Sequence, residues 1–429
     1  MSEVKIEDVR RAFSPAKEIE DPKMFAGRSK QIKDGIKALL NEGGFMVIHG
    51  LRGVGKTSIA NQLKLIAEGD DRLPSMMGLD RLVPQNGFGY RVQYVSCDAF
   101  VKNIVDLIER ILFADERNES LFSLTKTGER KVKEIRKTVK GGGSIQLPGV
   151  SASGGGTKET TMSTESSNNI IQKFREVLNL VKKDLHHRYD GLLIIIDEFD
   201  AISNKEGFSS LVKTCSSEFV KFGVVGIANN ISELISDHKS IGRQIDIVRV
   251  PTMSKNELIK IIKKAEHKVN NEIYFSREAK GEIAKMSEEF PYFTHLMGQE
   301  CMMKAFEVGK RKIGKEGVGS VSEKISKGKL RTNYEDIYHD AVKQSEDREI
   351  LLKLFAEEDS NEISTSDVYG EAKEMGMSNP SQLMKELTGG EGEEGVLKKV
   401  RPKYYRFTDP VFKVYARKRG WKFDADETG

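Results

Sequence analysis

The stretch Gly50-Leu51-Arg52-Gly53-Val54-Gly55-Lys56-Thr57-Ser58 has the residue types and spacing of a phosphate-binding P-loop, and it follows the apolar run Phe45-Met46-Val47-Ile48 with only His49 between. Glycines let successive backbone N–H groups turn inward around phosphate oxygens. Lys56 is spaced to reach the β- and γ-oxygens and the Thr57 hydroxyl to ligate Mg²⁺. A second segment, Leu192-Leu193-Ile194-Ile195-Ile196, ends in Asp197-Glu198. Five consecutive apolar residues predict a strand buried on both faces of a parallel sheet, and ligands of such sheets sit at the carboxyl ends of the strands. Asp197 is then placed for the Mg²⁺ shell and Glu198 to polarise an attacking water. Asp200 reads better as a structural or capping residue. The chemistry implied is hydrolysis of a nucleoside triphosphate, with ATP and Mg²⁺ as the expected ligands.

The P-loop needs a strand before it and an amphipathic helix after it, and Ile59, Leu63 and Ile66 supply the apolar face of that helix. A preceding helix carries Ile32, Ile36, Leu39 and Leu40, whereas residues 1–28 read as polar and irregular. A strand at 91–95 and a helix bearing Ile104, Ile108 and Ile111 follow. Residues 141–168 are rich in Gly, Ser and Thr, which predicts a mobile insertion, with a partner-binding loop as the alternative. The helix bearing Ile170, Phe174, Val177, Leu178, Val181 and Leu185 leads into the acid-ended strand. The strand at 223–228 ends in Asn229-Asn230. Asn229 there could orient a nucleophilic water, and Asn230 could cap the next helix. After a strand at 245–250 and Pro251, the pattern Ser254-x-x-Glu257 is a capping box, and helices dominate beyond it.

The chain has 429 residues, 38% hydrophobic and 31% charged, with a net charge of +4. That length accommodates a main domain and one or two smaller ones, here 1–250, 251–333 and 334–429. With no N-terminal signal pattern and no apolar run long enough to cross a bilayer, the expectation is a cytoplasmic protein with no membrane partner. Cys97, Cys215 and Cys301 form no CxxC pair, which predicts reduced, buried thiols. His186-His187 has no further ligand spaced near it and reads as solvated rather than metal-binding.

Near the C-terminus, helix signals at 347–357 and 365–375 and a short helix opened by Asn379-Pro380 and bearing Leu383, Met384 and Leu387 precede two β-runs, 396–400 and 404–407, around Arg401-Pro402-Lys403. Three helices and a hairpin compose a winged helix. Its wing carries Lys398, Lys399, Arg401, Lys403 and Arg406, continued by Lys413, Arg417, Lys418, Arg419 and Lys422. Such a patch suits phosphate contacts with duplex DNA, although winged helices also serve as protein contacts.

The order of Phe25-Ala26-Gly27-Arg28, the P-loop, Ile196-Asp197-Glu198, Gly226-Ile227-Ala228-Asn229 and a helical region after Pro251 resembles AAA+ ATPases of the origin-recognition initiator type. The resemblance extends to their bacterial relatives, which grade into STAND signalling ATPases. It implies an α/β fold with a P-loop parallel sheet, a helical lid and a C-terminal winged helix. It further implies that Asn229 is sensor 1 and that the segment before Gly27-Arg28 lies against the adenine. Arg243 would be an arginine finger offered to a neighbouring copy in a homo-oligomer, or else a surface residue. Where the initiator family has a sensor 2 arginine, this chain has Phe290-Pro291-Tyr292-Phe293-Thr294-His295. That departure implies slow hydrolysis and switch-like behaviour, with His295 either near phosphate or packed within the lid. Two functions follow: an ATPase that assembles on duplex DNA, or a signalling or phage-defence ATPase that controls a separate effector protein.

Overall fold

The computed structural model describes residues 4–113, 121, 164–228, 230–235, 242–325, 328, 330–343, 345–389 and 395–419. Two compact units make up the chain. One comprises Glu18–Leu51 and Gly55–Pro251; the other comprises Met1–Lys17, Arg52–Val54 and Thr252–Gly429.

The first unit is an α/β layer structure around a five-stranded sheet in the order β2-β3-β4-β1-β5, with β1 Phe45–Gly50, β2 Tyr90–Ser96, β3 Gly191–Asp197, β4 Val220–Ile227 and β5 Ile245–Val250. Every neighbouring pair is parallel. β3 is buried along its whole length, as an uninterrupted apolar run requires. Its side chains alternate between faces. Leu192, Ile194 and Ile196 join one cluster with Phe45, Val47, Phe222 and Val224, covered by the helices Ile104–Phe113, Thr164–Leu185 and Phe208–Cys215. Helix α2 (Ser29–Leu40) and the P-loop helix α3 (Lys56–Ala67) pack against the sheet as well, α2 on β5 and α3 on β1, β2 and β4.

Residues 141–163 of the expected insertion lie outside the described residues. Residues 164–168 are helical instead, forming the start of Thr164–Leu185. Cys97, Cys215 and Cys301 are free and buried, and burial pushes each thiol up to about 12. His186 and His187 are exposed, with His186 Nδ1 2.9 Å from the Lys183 carbonyl. Among the described residues no group of acidic, His or Cys side chains could hold a metal by itself, and no helix is long and apolar enough to cross a membrane.

The second unit is mostly helical. Ser254 and Glu257 make the reciprocal capping box, Ser254 N–H donating to Glu257 Oε2 at 3.0 Å and Glu257 N–H to Ser254 Oγ at 3.4 Å. The N-terminal stretch is not wholly irregular: Ile6–Arg11 forms helix α1, which packs on the helix Pro291–Glu307. Val9, Ala12 and Phe13 are buried there. The Phe13 ring lies so close that a Cβ on Gly298 would meet it at 2.4 Å, so a side chain there would displace the ring from this crossing. Farther along, the helices Glu346–Glu357, Thr365–Glu374 and Pro380–Leu387 precede an antiparallel hairpin, Leu397–Arg401 with Tyr404–Phe407, extended by Ile363–Ser364 into a three-stranded sheet. Asp409 caps the last helix, Pro410–Lys418, by accepting the Val411 N–H.

His295 lies inside the second unit, its ring edge-on to Phe13 and its Nδ1 accepting the Ser14 N–H at 3.2 Å. That bond requires a neutral imidazole, and burial lowers the ring's pKa from 6.5 to about 4. Because the unfolded chain protonates His295 near 6.5, the stability this residue contributes is fully present above that pH and is lost as pH falls towards about 4. In a series of thermal melts, His295→Asn should show a shallower decline between pH 6.5 and 4 than the parent. Parallel declines would contradict the neutral buried ring.

Candidate nucleotide site and basic hairpin

The P-loop leaves β1 at its C-terminal end. Gly53 and Gly55 have φ of 76° and 91°, in the left-handed region where side chains are strained, so the loop curls back before α3 begins at Lys56. A Cβ on Gly55 would meet nothing within 4 Å, so the constraint at this glycine is its backbone conformation and not space. Lys56 is buried, and its ammonium donates to the Leu51 carbonyl at 2.8 Å, across the loop where an anion would sit. Backbone N–H groups, a helix N-terminus and this ammonium make a donor set suited to a polyphosphate, and the Thr57 hydroxyl on the first turn suits its cation.

Asp197 ends β3 with 4% of its surface exposed. Its Oδ1 accepts the Glu198 N–H at 2.7 Å and its Oδ2 accepts the Tyr94 hydroxyl at 2.5 Å. Glu198 is exposed, has φ of 53° and accepts the Ser96 hydroxyl at 2.8 Å. A non-glycine residue held left-handed costs about 1–3 kcal/mol, and the hydrogen bonds at Asp197 and Ser96 maintain it. Asp200 is structural, as its position suggested: its Oδ1 accepts the Ile227 N–H at 2.7 Å, tying the loop after β3 to the end of β4. Sequence reasoning did not find Tyr94 or Ser96. Their signal was the period-2 alternation of β2, which puts both on the face turned to the β3 acids.

Since β4 lies between β1 and β3, the end of β4 emerges between the P-loop and the acidic pair. Asn229 lies outside the described residues, as does the side chain of Arg243, whose backbone is in the short helix Gly242–Gln244. Asn230 caps Ile231–Leu234 by accepting the Glu233 N–H. His49, one residue before the loop, is 3.3 Å from the Ala228 carbonyl through Nδ1, and burial lowers its pKa.

The segment before Gly27-Arg28 is fastened to α3. Ile19 N–H donates to Ser58 Oγ at 3.0 Å, and Gln62 Nε2 donates to the Ile19 and Glu20 carbonyls, both at 2.9 Å. The Ser58 side chain therefore serves this tether. Gly27 and Arg28 follow with φ of 67° and 62°, and Arg28 is buried. Glu20, Asp21, Pro22, Asn61, Lys64, Leu65 and Arg72 line a cavity of about 520 Å³ beside it.

The hairpin exposes Lys398, Lys399, Arg401 and Lys403, while Arg406 is half-buried. Arg401 lies 3.6 Å above the Tyr404 ring and donates to Glu362 at 3.2 Å. Of the expected continuation of the basic patch, Lys422 lies outside the described residues, and the other four cations are engaged within the unit. Lys413 is buried and pairs with Glu288 at 3.2 Å, and Arg417 pairs with Glu288 at 2.8 Å and donates to three backbone carbonyls. Lys418 donates to Ser322, and Arg419 pairs with Glu335 at 2.8 Å and stacks on Tyr338. An amphipathic reading of the sequence counts these charges as surface; Glu288, from the turn before Pro291–Glu307, and Glu335, from the helix Arg331–Val342, draw them inward.

No protein-family model and no curated protein matches the sequence. Among solved structures it is similar to the Walker-type ATPase of Pyrococcus abyssi, at 14% identity over 94% of this chain and 99% of that one, with a TM-score of 0.48. It is also similar to the Aeropyrum pernix ORC2 protein in ADPNP-ADP complexes, at 14% identity over 98% of this chain and 99% of that one, TM-score 0.47. The Thermotoga maritima RuvB Holliday junction branch migration motor is similar at 15% identity over 91% of this chain and 94% of that one, TM-score 0.42.

Gly50 separates scaffold from chemistry. It faces Val250 across the β1–β5 pair, and a Cβ there would lie 2.2 Å from the Val250 carbonyl oxygen. Gly50→Ala should therefore destabilise the protein by about 1–3 kcal/mol through this overlap. Chemical denaturation without nucleotide is the measurement, and an unchanged unfolding midpoint would show that the close approach is not made.

Proposed function

We propose that the protein is an Mg²⁺-dependent ATPase that acts as an AAA+ type nucleotide switch, assembles with itself and engages duplex DNA through its C-terminal winged helix. The observation that supports the reading most is the strand order: the P-loop at the end of β1 and Asp197-Glu198 at the end of β3 flank a single strand, β4, at one edge of one parallel sheet. In this reading the loop N–H groups and Lys56 bind the phosphates, and Thr57 and Asp197 hold the cation. When bound, that cation supplies charge neutralisation at the phosphate oxygens. Glu198 takes the proton from the attacking water, Asn229 orients that water, and Arg243 of a neighbouring copy stabilises charge developing on the γ-phosphate. Gly27, Arg28 and the tethered segment before them lie against the base. The domains in this reading are the nucleotide-binding domain 1–250, the lid 251–333 and the winged helix 334–429.

Glu198 acts on water while Lys56 contacts phosphate already in the ground state, so Glu198→Gln should keep ATP affinity within a few-fold and lower turnover by about 10²–10⁴. Steady-state hydrolysis and equilibrium binding of the same preparation check this, and parental turnover in Glu198→Gln would remove the general-base role.

DNA engagement rests on the hairpin alone, because the last helix's cations are paired internally. If Lys398, Lys399 and Lys403 neutralise about three phosphates, log K should fall with log salt at a slope near −2.7. Reversing these three to Glu should weaken binding alike for every sequence, since they would touch backbone and not bases. Reversing Lys260 and Lys263, exposed on the helix Lys255–Lys268, should not. Equal loss from both sets would reduce the effect to general attraction. No duplex binding at low salt would transfer the reading to a signalling switch that controls a separate effector protein.

A further inference from the structure

Both oxygens of the Asp197 carboxylate are engaged before any cation arrives. Oδ1 takes the N–H of Glu198, a contact within the turn that any residue at 198 would offer. Oδ2 takes the hydroxyl of Tyr94 at 2.5 Å, from the neighbouring strand, where Tyr94 faces Ile195 across the β2–β3 register. Tyr94 is itself positioned from a third element. The Lys64 ammonium, two turns into the P-loop helix, lies 5.3 Å from the centroid of its ring. A cation over the ring face withdraws density from the phenol and strengthens its O–H as a donor. The helix whose first turn carries Lys56 and Thr57 thus reaches, through Lys64, the phenol that bonds Asp197 at the end of β3.

We propose that Tyr94 is a positioning residue for the divalent cation: its hydroxyl holds Asp197 in one orientation, so that the carboxylate receives the cation or its water shell without first reorganising. Each carboxylate oxygen has lone pairs beyond the one that Tyr94 or Glu198 occupies, so the hold and the cation are compatible. Partners of this kind, one shell out from a metal, typically alter metal affinity 10–100-fold when removed. The hydroxyl donates to the Asp197 carboxylate, and its proposed effect on the cation passes through that bond. The inference rests on the ATPase reading above.

The test is the Mg²⁺ dependence of binding of a fluorescent ATP analogue to the full chain, measured at equilibrium without turnover. Tyr94→Phe keeps the ring and removes the hydroxyl. It should raise the Mg²⁺ concentration at half-maximal effect about 10-fold and leave affinity measured in excess chelator unchanged. Ser96→Ala, on the same strand face but bonded to Glu198, should leave the Mg²⁺ midpoint within two-fold of the parent. An unshifted midpoint in Tyr94→Phe overturns the proposal, and so does an equal shift in Ser96→Ala, which would reflect loosening of the β2 end. If Tyr94→Phe does not fold, Lys64→Gln decides: it should move the midpoint in the same direction by about three-fold, and no movement overturns the proposal. Failure of the parent protein to bind the analogue at any Mg²⁺ concentration would be failure of the ATPase reading, a distinct result.

Discussion

A buried carboxylate at the end of an all-apolar strand is the constraint on which the site depends. Taking such a group out of water is costly unless its oxygens are hydrogen-bonded, and Asp197 meets the condition with one bond from its own turn and one from Tyr94. The first of these comes with a left-handed Glu198, which sets the direction in which the second acid leaves the sheet. The position of Glu198, the anchoring by Ser96 and the place of β2 beside β3 belong to one solution for burying Asp197.

The sheet order extends the same logic. Parallel strands bring all their carboxyl ends to one edge, and inserting β4 between β1 and β3 spaces the P-loop from the acids by one strand. Asp200 then ties the turn after β3 to the end of β4, so these two neighbours at that edge are joined by a hydrogen bond rather than by packing alone. In the helical unit the equivalent organising contacts are ionic. Glu288 is left-handed at φ 45°, forms ion pairs with both Lys413 and Arg417, and brings the last helix against the turn before Pro291–Glu307.

In both units, what was legible in the sequence is what its local signals encode. The glycines of the P-loop, the apolar run of β3 and the capping box at Ser254 each encode their geometry within a few residues. What escaped was non-local. Helix α1 packs on the helix Pro291–Glu307, with the Phe13 ring against Gly298 nearly three hundred residues away, and nothing in residues 1–28 announces that partner. The pairing of Lys413, Arg417 and Arg419 was hidden for the same reason: a cationic helix reads as exposed until the acids opposite it are known. Ser58 shows the converse, a residue with the right type for the phosphate loop whose hydroxyl is used to hold Ile19.

The central claim is that the turn after β1 and the acids after β3 form one nucleotide site whose phosphate grip depends on Lys56. Isothermal titration calorimetry of the full chain with a non-hydrolysable ATP analogue and Mg²⁺ addresses it directly. One analogue should bind per chain, with the affinity falling at least about 100-fold in Lys56→Ala, a loss of about 2.7 kcal/mol. Absence of binding to the parent protein, or equal affinity in Lys56→Ala, would contradict it.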